Sequence, residues 1–278
     1  MPQIPIMTTA IKIKQGLDIK LKGEAERSVE IVSSGLFAIQ PTDFVGVLPR
    51  LLVQEGDIVE VGTPLFQDKH DERILFTSPV KGTVKEIRRG EKRLLQAVVV
   101  ESSNETTEIL PIETLHATSL QREAIIQKML ETGLWPMIRQ RPYSVIANPD
   151  TMPKAFFVSG FDTHPLAPDL DFIVEHFPDS FQKGLEILSI LSGKKVHLCV
   201  HAEKTVSEVL LKAKTLRFIR LAVLTLRETS ARKSIKSALL IKVNWFGTAR
   251  CRMLSTLGII SARANSISAG FMQWLVPD

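Results

Sequence analysis

Four groups of side chains in this sequence have the types and spacing for chemistry. The first is His197-Leu198-Cys199-Val200-His201. On a strand, residues i, i+2 and i+4 share a face, so His197, Cys199 and His201 would line up as three potential metal ligands. Same-face neighbours lie ~6.6 Å apart, which is wide for a compact tetrahedral site on one strand. Packing is therefore the plainer use of these residues. The second group, Asp162, His164, Asp169 and Asp171, follows a stretch that reads as a strand. Ligands of open α/β sheets bind beyond the C-terminal strand ends. The plainer reading is a loop, with Pro165 and Pro168, whose acids face water or cap a helix. The third is Lys69 within Asp68-Lys69-His70-Asp71-Glu72-Arg73, a charged turn between two apolar runs. The fourth is the basic set Arg88, Arg89, Lys92 and Arg93. It suits an acidic lipid face or a neighbouring protein of a complex, and a solvated hairpin equally well.

The elements that must position these groups fall into two textures. From Ile11 to about Glu101, short apolar runs alternate with Gly and Pro: Ile11-Lys12-Ile13, Phe44-Val45-Gly46-Val47-Leu48, Ile74-Leu75-Phe76, Val98-Val99-Val100. This predicts a small antiparallel barrel or sandwich. From Leu120 the period becomes helical, with Ala124, Ile125 and Met129 on one face and Gly133 as the stop. Ala155–Ser159 reads as a buried strand, Ser180–Ser192 as a helix ended by Gly193, Lys195–His201 as a strand and Ala202–Lys214 as a helix. Strand–helix–strand–helix implies a parallel α/β layer. The segment 102–118, rich in Ser, Thr and Glu, reads as a linker.

The most informative run is Gly56-Asp57-Ile58-Val59-Glu60-Val61-Gly62-Thr63-Pro64-Leu65-Phe66, followed by Ser78-Pro79-Val80-Lys81-Gly82-Thr83-Val84. Gly56-Asp57 and Gly62 supply tight turns. Val59, Leu65 and Val84 alternate inward to fill a small barrel. The run resembles the biotinyl/lipoyl barrel-sandwich family, in which the hairpin can carry a cofactor-bearing lysine. Counting back from Pro79 puts the tip near Asp71 or Glu72, not at Lys69, and the methionines that flank a biotin acceptor are absent. The resemblance thus implies a binding or assembly module, with a lipoyl- or biotin-type carrier as the alternative.

Further blocks widen the match. Ile11 to Ile19 with Lys22-Gly23, and Glu86-Ile87-Arg88-Arg89-Gly90-Glu91-Lys92-Arg93, resemble the A subunit of the sodium-translocating NADH:quinone reductase (NQR complex). So do Glu131-Thr132-Gly133-Leu134-Trp135-Pro136, Arg139-Gln140-Arg141-Pro142-Tyr143, Pro153 to Val158 and Asp162 to Asp169. The resemblance runs from about Ile11 to Lys214. It implies a multi-domain α+β chain: an N-terminal β domain with a barrel-sandwich hybrid at 1–101, an α/β, Rossmann-like domain at 102–214, and a basic tail of uncertain fold at 215–278. It also implies a peripheral subunit on the cytoplasmic side of the bacterial inner membrane. The complex would oxidise NADH, reduce ubiquinone and export sodium. Its NADH, flavin and iron–sulphur sites would lie mainly on other subunits. No catalytic, cofactor-binding or metal-binding residue transfers from the match. Ubiquinone and the other reductase subunits are the implied partners. A free-standing cytoplasmic module is the remaining alternative.

Composition fits that picture. No dinucleotide G-x-G-x-x-G and no Walker-type lysine loop is present. Two isolated cysteines, Cys199 and Cys251, cannot ligate an iron–sulphur cluster, which takes four protein ligands. They also suggest no disulfide framework, so a reducing compartment is expected. No apolar run approaches the ~18–20 residues of a membrane helix, and Met1–Thr9 does not read as a signal peptide. The net charge is +5 but unevenly placed: 25 Lys/Arg against 28 Asp/Glu up to residue 214, and ten against two from Thr215 onward. That basic, Ser-rich tail lacks a nucleic-acid signature, and no nucleic-acid partner is expected. Moving the reading frame by two bases across Phe218-Ile219-Arg220-Leu221-Ala222 permits His-Pro-Ala-Gly, a sequence the family carries at this point. A frameshift near 215–217, leaving a tail not selected to fold, is the resulting expectation.

Overall fold

The computed structural model describes residues 9–12, 23, 26–29, 34–103, 122–141, 143–162, 168–201, 205, 207–213, 216–222 and 246–250. Two antiparallel sheets make the first region. One joins β2 (Leu36–Ile39), β4 (Ile58–Val59), β7 (Gly82–Arg89) and β8 (Leu95–Ser102) in the order β2-β8-β7-β4. The other joins β3 (Pro49–Leu51), β5 (Pro64–Asp68) and β6 (Leu75–Thr77) in the order β3-β5-β6. Val59, Leu65 and Val84 are buried between them, as the alternation requires. Gly56 and Gly62 take positive φ, +92° and +85°, where side chains are strained. Gly82 serves differently: a Cβ there would run into the Glu101 backbone.

The second region is a seven-stranded sheet. With β1 (Thr9–Lys12), β9 (Arg139–Arg141), β10 (Val145–Ile146), β11 (Phe156–Ser159), β12 (Val196–His201), β13 (Leu216–Ala222) and β14 (Phe246–Arg250), its order is β1-β13-β12-β11-β14-β9-β10. The first five strands in that order run parallel, and β9 and β10 are antiparallel additions. The helices are α1 (Arg122–Glu131), α2 (Leu170–Glu175), α3 (Pro178–Ser192) and α4 (Glu208–Lys212). Phe181, Leu185, Leu188 and Leu191 of α3 are buried with Phe156, Val158, Val196, Leu198 and Val200 of β11 and β12. Each such side chain contributes about 1.5–3 kcal/mol when fully buried. Exposed ion pairs contribute about 0–1 kcal/mol each, so this apolar layer decides the fold.

The two regions share one continuous buried cluster, from Phe66 and Val84 through Trp135 to Leu198. Gly133, at φ +69°, ends α1 where a Cβ would lie 2.6 Å from Thr77 Oγ1 of β6. Thr77 Oγ1 donates to the Thr132 carbonyl at 3.3 Å, and Arg139 Nη2 to the Asp43 carbonyl at 3.1 Å.

Several elements depart from the sequence expectations. Phe44 to Leu48 is not a strand. It turns, with Gly46 at φ +83°, after a short 3-10 helix at Pro41–Asp43. Phe44 instead packs edge-on to Phe76. The stretch holding Ile11-Lys12 forms β1, which pairs with β13 rather than entering either barrel sheet. The helix expected over Ala202–Lys214 is only α4. Ser207 is extended, at φ −60° and ψ 122°, and its N–H donates to Asp171 Oδ2, so the helix cannot extend back through it. The helix expected from Ser180 begins at Pro178, the first-turn position where a missing N–H costs nothing. The stretch set apart as a tail supplies β14 and β13. Its other residues, with the 104–118 part of the expected linker and His164, lie outside the described residues.

Candidate functional site

The charged hairpin between β5 and β6 stands over a cleft of about 630 Å³, which the loop 45–47 and residues 145–150 complete. Local rules build it. Phe66 and Phe76 stack at the base, 4.5 Å between centroids. The Asp68 N–H donates to the Ile74 carbonyl and the Lys69 N–H to the Leu48 carbonyl, closing the turn. The Asp68 side chain is only 9% exposed. Its Oδ1 accepts from the backbone N–H groups of Leu48 and His70, at 3.3 and 3.1 Å, and lies 3.3 Å from His70 Nδ1. A buried carboxylate is tolerable only with such donors.

Arg73 lines the cleft beside Asp71 and Asp150. Its guanidinium donates to both carboxylate oxygens of Asp71, at 2.9 and 2.7 Å. It also donates to both oxygens of Asp150, at 2.9 and 2.7 Å, 77 residues further along the chain. This paired-fork geometry is the strong form of a surface ion pair. Hydrogen bonds from Arg73 hold the Asp71 and Asp150 carboxyls below their ordinary value of 3.8, and the two acids raise the Arg73 guanidinium in turn. Asn148 Oδ1 accepts from the Asp150 N–H at 2.9 Å, which fixes the acid's position.

What this arrangement does is hold the hairpin against the second region. The tip lies at Asp71 and Glu72. Lys69 sits beside β5, before the tip. The paired roles of Arg73 and Asp150 were not visible in sequence, because nothing local links positions 77 residues apart. The charge alternation from Asp68 to Arg73 was the only signal.

The other expected groups resolve into packing. His197 stacks on Phe157 at 4.7 Å, and His201 meets Phe161 edge-on at 5.3 Å. Cys199 is buried between them in the strand. Among the described residues no three metal-ligating side chains gather. Asp169 caps α2, accepting from Asp171 and Phe172 N–H groups at 3.0 and 3.3 Å. Asp171 is buried and holds Ser207. The structure brings Asp169 and Asp171 together in a structural role.

The basic set lies elsewhere, at the end of β7 and the start of β8. Arg88, Arg89, Lys92 and Arg93 are all exposed. Lys92 and Arg93 adopt φ +54° and +60°. Left-handed backbone costs about 1–2 kcal/mol per non-glycine residue.

Comparison with known proteins agrees with this two-part build. The family model described as the NqrA N-terminal barrel-sandwich hybrid domain matches residues 11–103. The model described as the NqrA second alpha/beta domain matches residues 120–219, past Lys214. The A subunit of the Na(+)-translocating NADH-quinone reductase of Yersinia pseudotuberculosis serotype O:1b is 38% identical over 204 residues, 71% of this chain and 44% of that protein. The protein of the same name from Teredinibacter turnerae is 39% identical over 195 residues, 69% of this chain and 44% of its own. That from Aliivibrio salmonicida is 37% identical over 194 residues, 68% and 43%. The chain therefore spans less than half the length of these curated relatives. With its barrel-sandwich and α/β regions matched in tandem, this chain belongs to the NqrA family, the A subunits of the Na(+)-translocating NADH-quinone reductases.

Proposed function

We propose that this chain acts as a peripheral subunit of an NADH:quinone reductase complex that exports sodium, contributing structure to the quinone-reducing step rather than an active site of its own. The observation that carries the reading is the pairing of two family domains in order with a clasped hairpin. Arg73 ties the barrel's hairpin to Asp150, and Lys69 stands before the tip rather than at it, where a carrier lysine would sit. No helix among the described residues is long and apolar enough to cross a membrane; the cytoplasmic side is the one the family reading proposes. The remaining reductase subunits are the proposed partners and ubiquinone the proposed acceptor. Expression in cells lacking their own NqrA tests this. Co-purification of the chain with the other reductase subunits is expected. Failure to co-purify with the other subunits overturns it.

The proposed division is a β domain at 1–101, an α/β domain at 102–214 and a frameshifted tail at 215–278. Its support is the charge jump to ten basic and two acidic residues from Thr215 onward. Reading the gene's other frames tests it: neither frame resuming the family sequence would overturn the frameshift.

A further inference from the structure

The β7–β8 hairpin spends strain on charge. A tight turn that needs left-handed residues takes Gly or Asn most cheaply. Here those positions hold Lys92 and Arg93. The turn itself is closed by backbone bonds, from Gly90 N–H to the Leu94 carbonyl at 2.8 Å and from Leu94 N–H to the Glu91 carbonyl at 3.1 Å. Neither side chain is needed for it. Arg88 is paired with Glu86 at 3.0 Å, and Arg89 Nη1 donates to the Arg93 carbonyl at 3.5 Å. Among the described residues nothing pairs with the side chains of Lys92 or Arg93. Leu94 beside them is a large apolar side chain left 54% exposed. The tip is also a cationic exception, since residues up to 214 carry 25 basic and 28 acidic side chains.

We propose that this tip docks the chain onto an acidic protein surface. Carboxylates there would take Arg89, Lys92 and Arg93, and an apolar spot would take Leu94. The proposal rests on the reading that the chain works within an assembly. A carboxylate array takes guanidinium and ammonium groups through directed hydrogen bonds, and the left-handed turn sets the backbone positions from which Lys92 and Arg93 reach out. A fluid lipid surface rewards charge wherever it sits and gains nothing from a fixed backbone. Nucleic acid calls for a broader basic stripe than one hairpin tip.

The test uses the full chain and the detergent-solubilised reductase lacking its own NqrA. The key variant, Lys92→Gly with Arg93→Gly, removes both charges while relieving the backbone, so folding is not put at risk. Binding about tenfold weaker or worse is expected, since charge pairs at an interface carry that much. A zero-length carbodiimide cross-link in the wild-type complex should join Lys92 to an Asp or Glu of another reductase protein. Wild type bound and the variant bound equally overturns the proposal alone. So does loss by the variant of binding to phosphatidylglycerol vesicles with binding to the reductase intact. Wild type not bound at all overturns the assembly reading and the proposal together.

Discussion

The two charged hairpins of the barrel use the same residue types to opposite ends. In the β5–β6 hairpin every charge but that of Lys69 is answered, among the described residues, from within the chain: Asp68 by backbone N–H groups, Arg73 by Asp71 and Asp150, and Glu72 by Arg50 of β3 at 2.8 Å. In the β7–β8 hairpin Lys92 and Arg93 are left unanswered, among the described residues, on a strained backbone. The lesson is that local charge density does not separate a structural hairpin from a docking one. What separates them is whether the chain itself supplies the counter-charges.

The largest effect should come from beneath the clasped hairpin. Phe66→Ala removes a fully buried ring stacked on Phe76 and should cost about 3–5 kcal/mol in denaturant unfolding. A cost below about 1 kcal/mol would mean the hairpin is not seated on this core. Asp68→Ala comes next. It strands the Leu48 and His70 N–H groups and should cost about 1–3 kcal/mol. At the other hairpin the sign reverses. Lys92→Gly should raise stability by up to about 1 kcal/mol, relief of left-handed strain outweighing glycine's extra unfolded entropy. A destabilised variant would show that Lys92 has an internal role, and the contrast would collapse.

The Arg73→Ala effect should be smaller still, a slight fall in Tm at neutral pH, because the pair is largely exposed. Its pH dependence is the sharper reading. Asp71 and Asp150 titrate lower when folded than when unfolded, so the stability they add is present above about 3.8 and is lost as pH falls through their folded values. The difference between wild type and variant should therefore vanish in acid. A difference that grows in acid contradicts the clasp. Last, intact mass should show nothing added at Lys69. A lipoyl or biotinyl increment would restore the carrier reading.

Periodicity and glycine spacing made the barrel's inward residues and the α3 face legible, because both patterns are local. Val59, Leu65 and Val84 are buried where alternation puts them. Phe44 to Leu48 reads as a strand but turns instead, reaching the core through Phe44 and Val47 while Gly46 reverses the backbone. α4 was over-extended because Asp171, 36 residues earlier, takes the Ser207 N–H. The Arg73–Asp150 clasp was hidden for the same reason: a long-range partner leaves no mark on nearby spacing. The β7–β8 tip was half legible. Its charges showed in sequence, but the backbone strain beneath them did not.

The shared core has a consequence for synthesis. Residues through Ser102 complete the barrel's strands, yet the Gly133 turn that abuts Thr77 and the Trp135 ring within the same buried cluster come later. At about 5–20 residues per second, the emerging barrel waits seconds for its last wall. During that interval it presents an unfinished apolar face to the ribosome surface and to chaperones, and the nascent chain is most open to mispairing then.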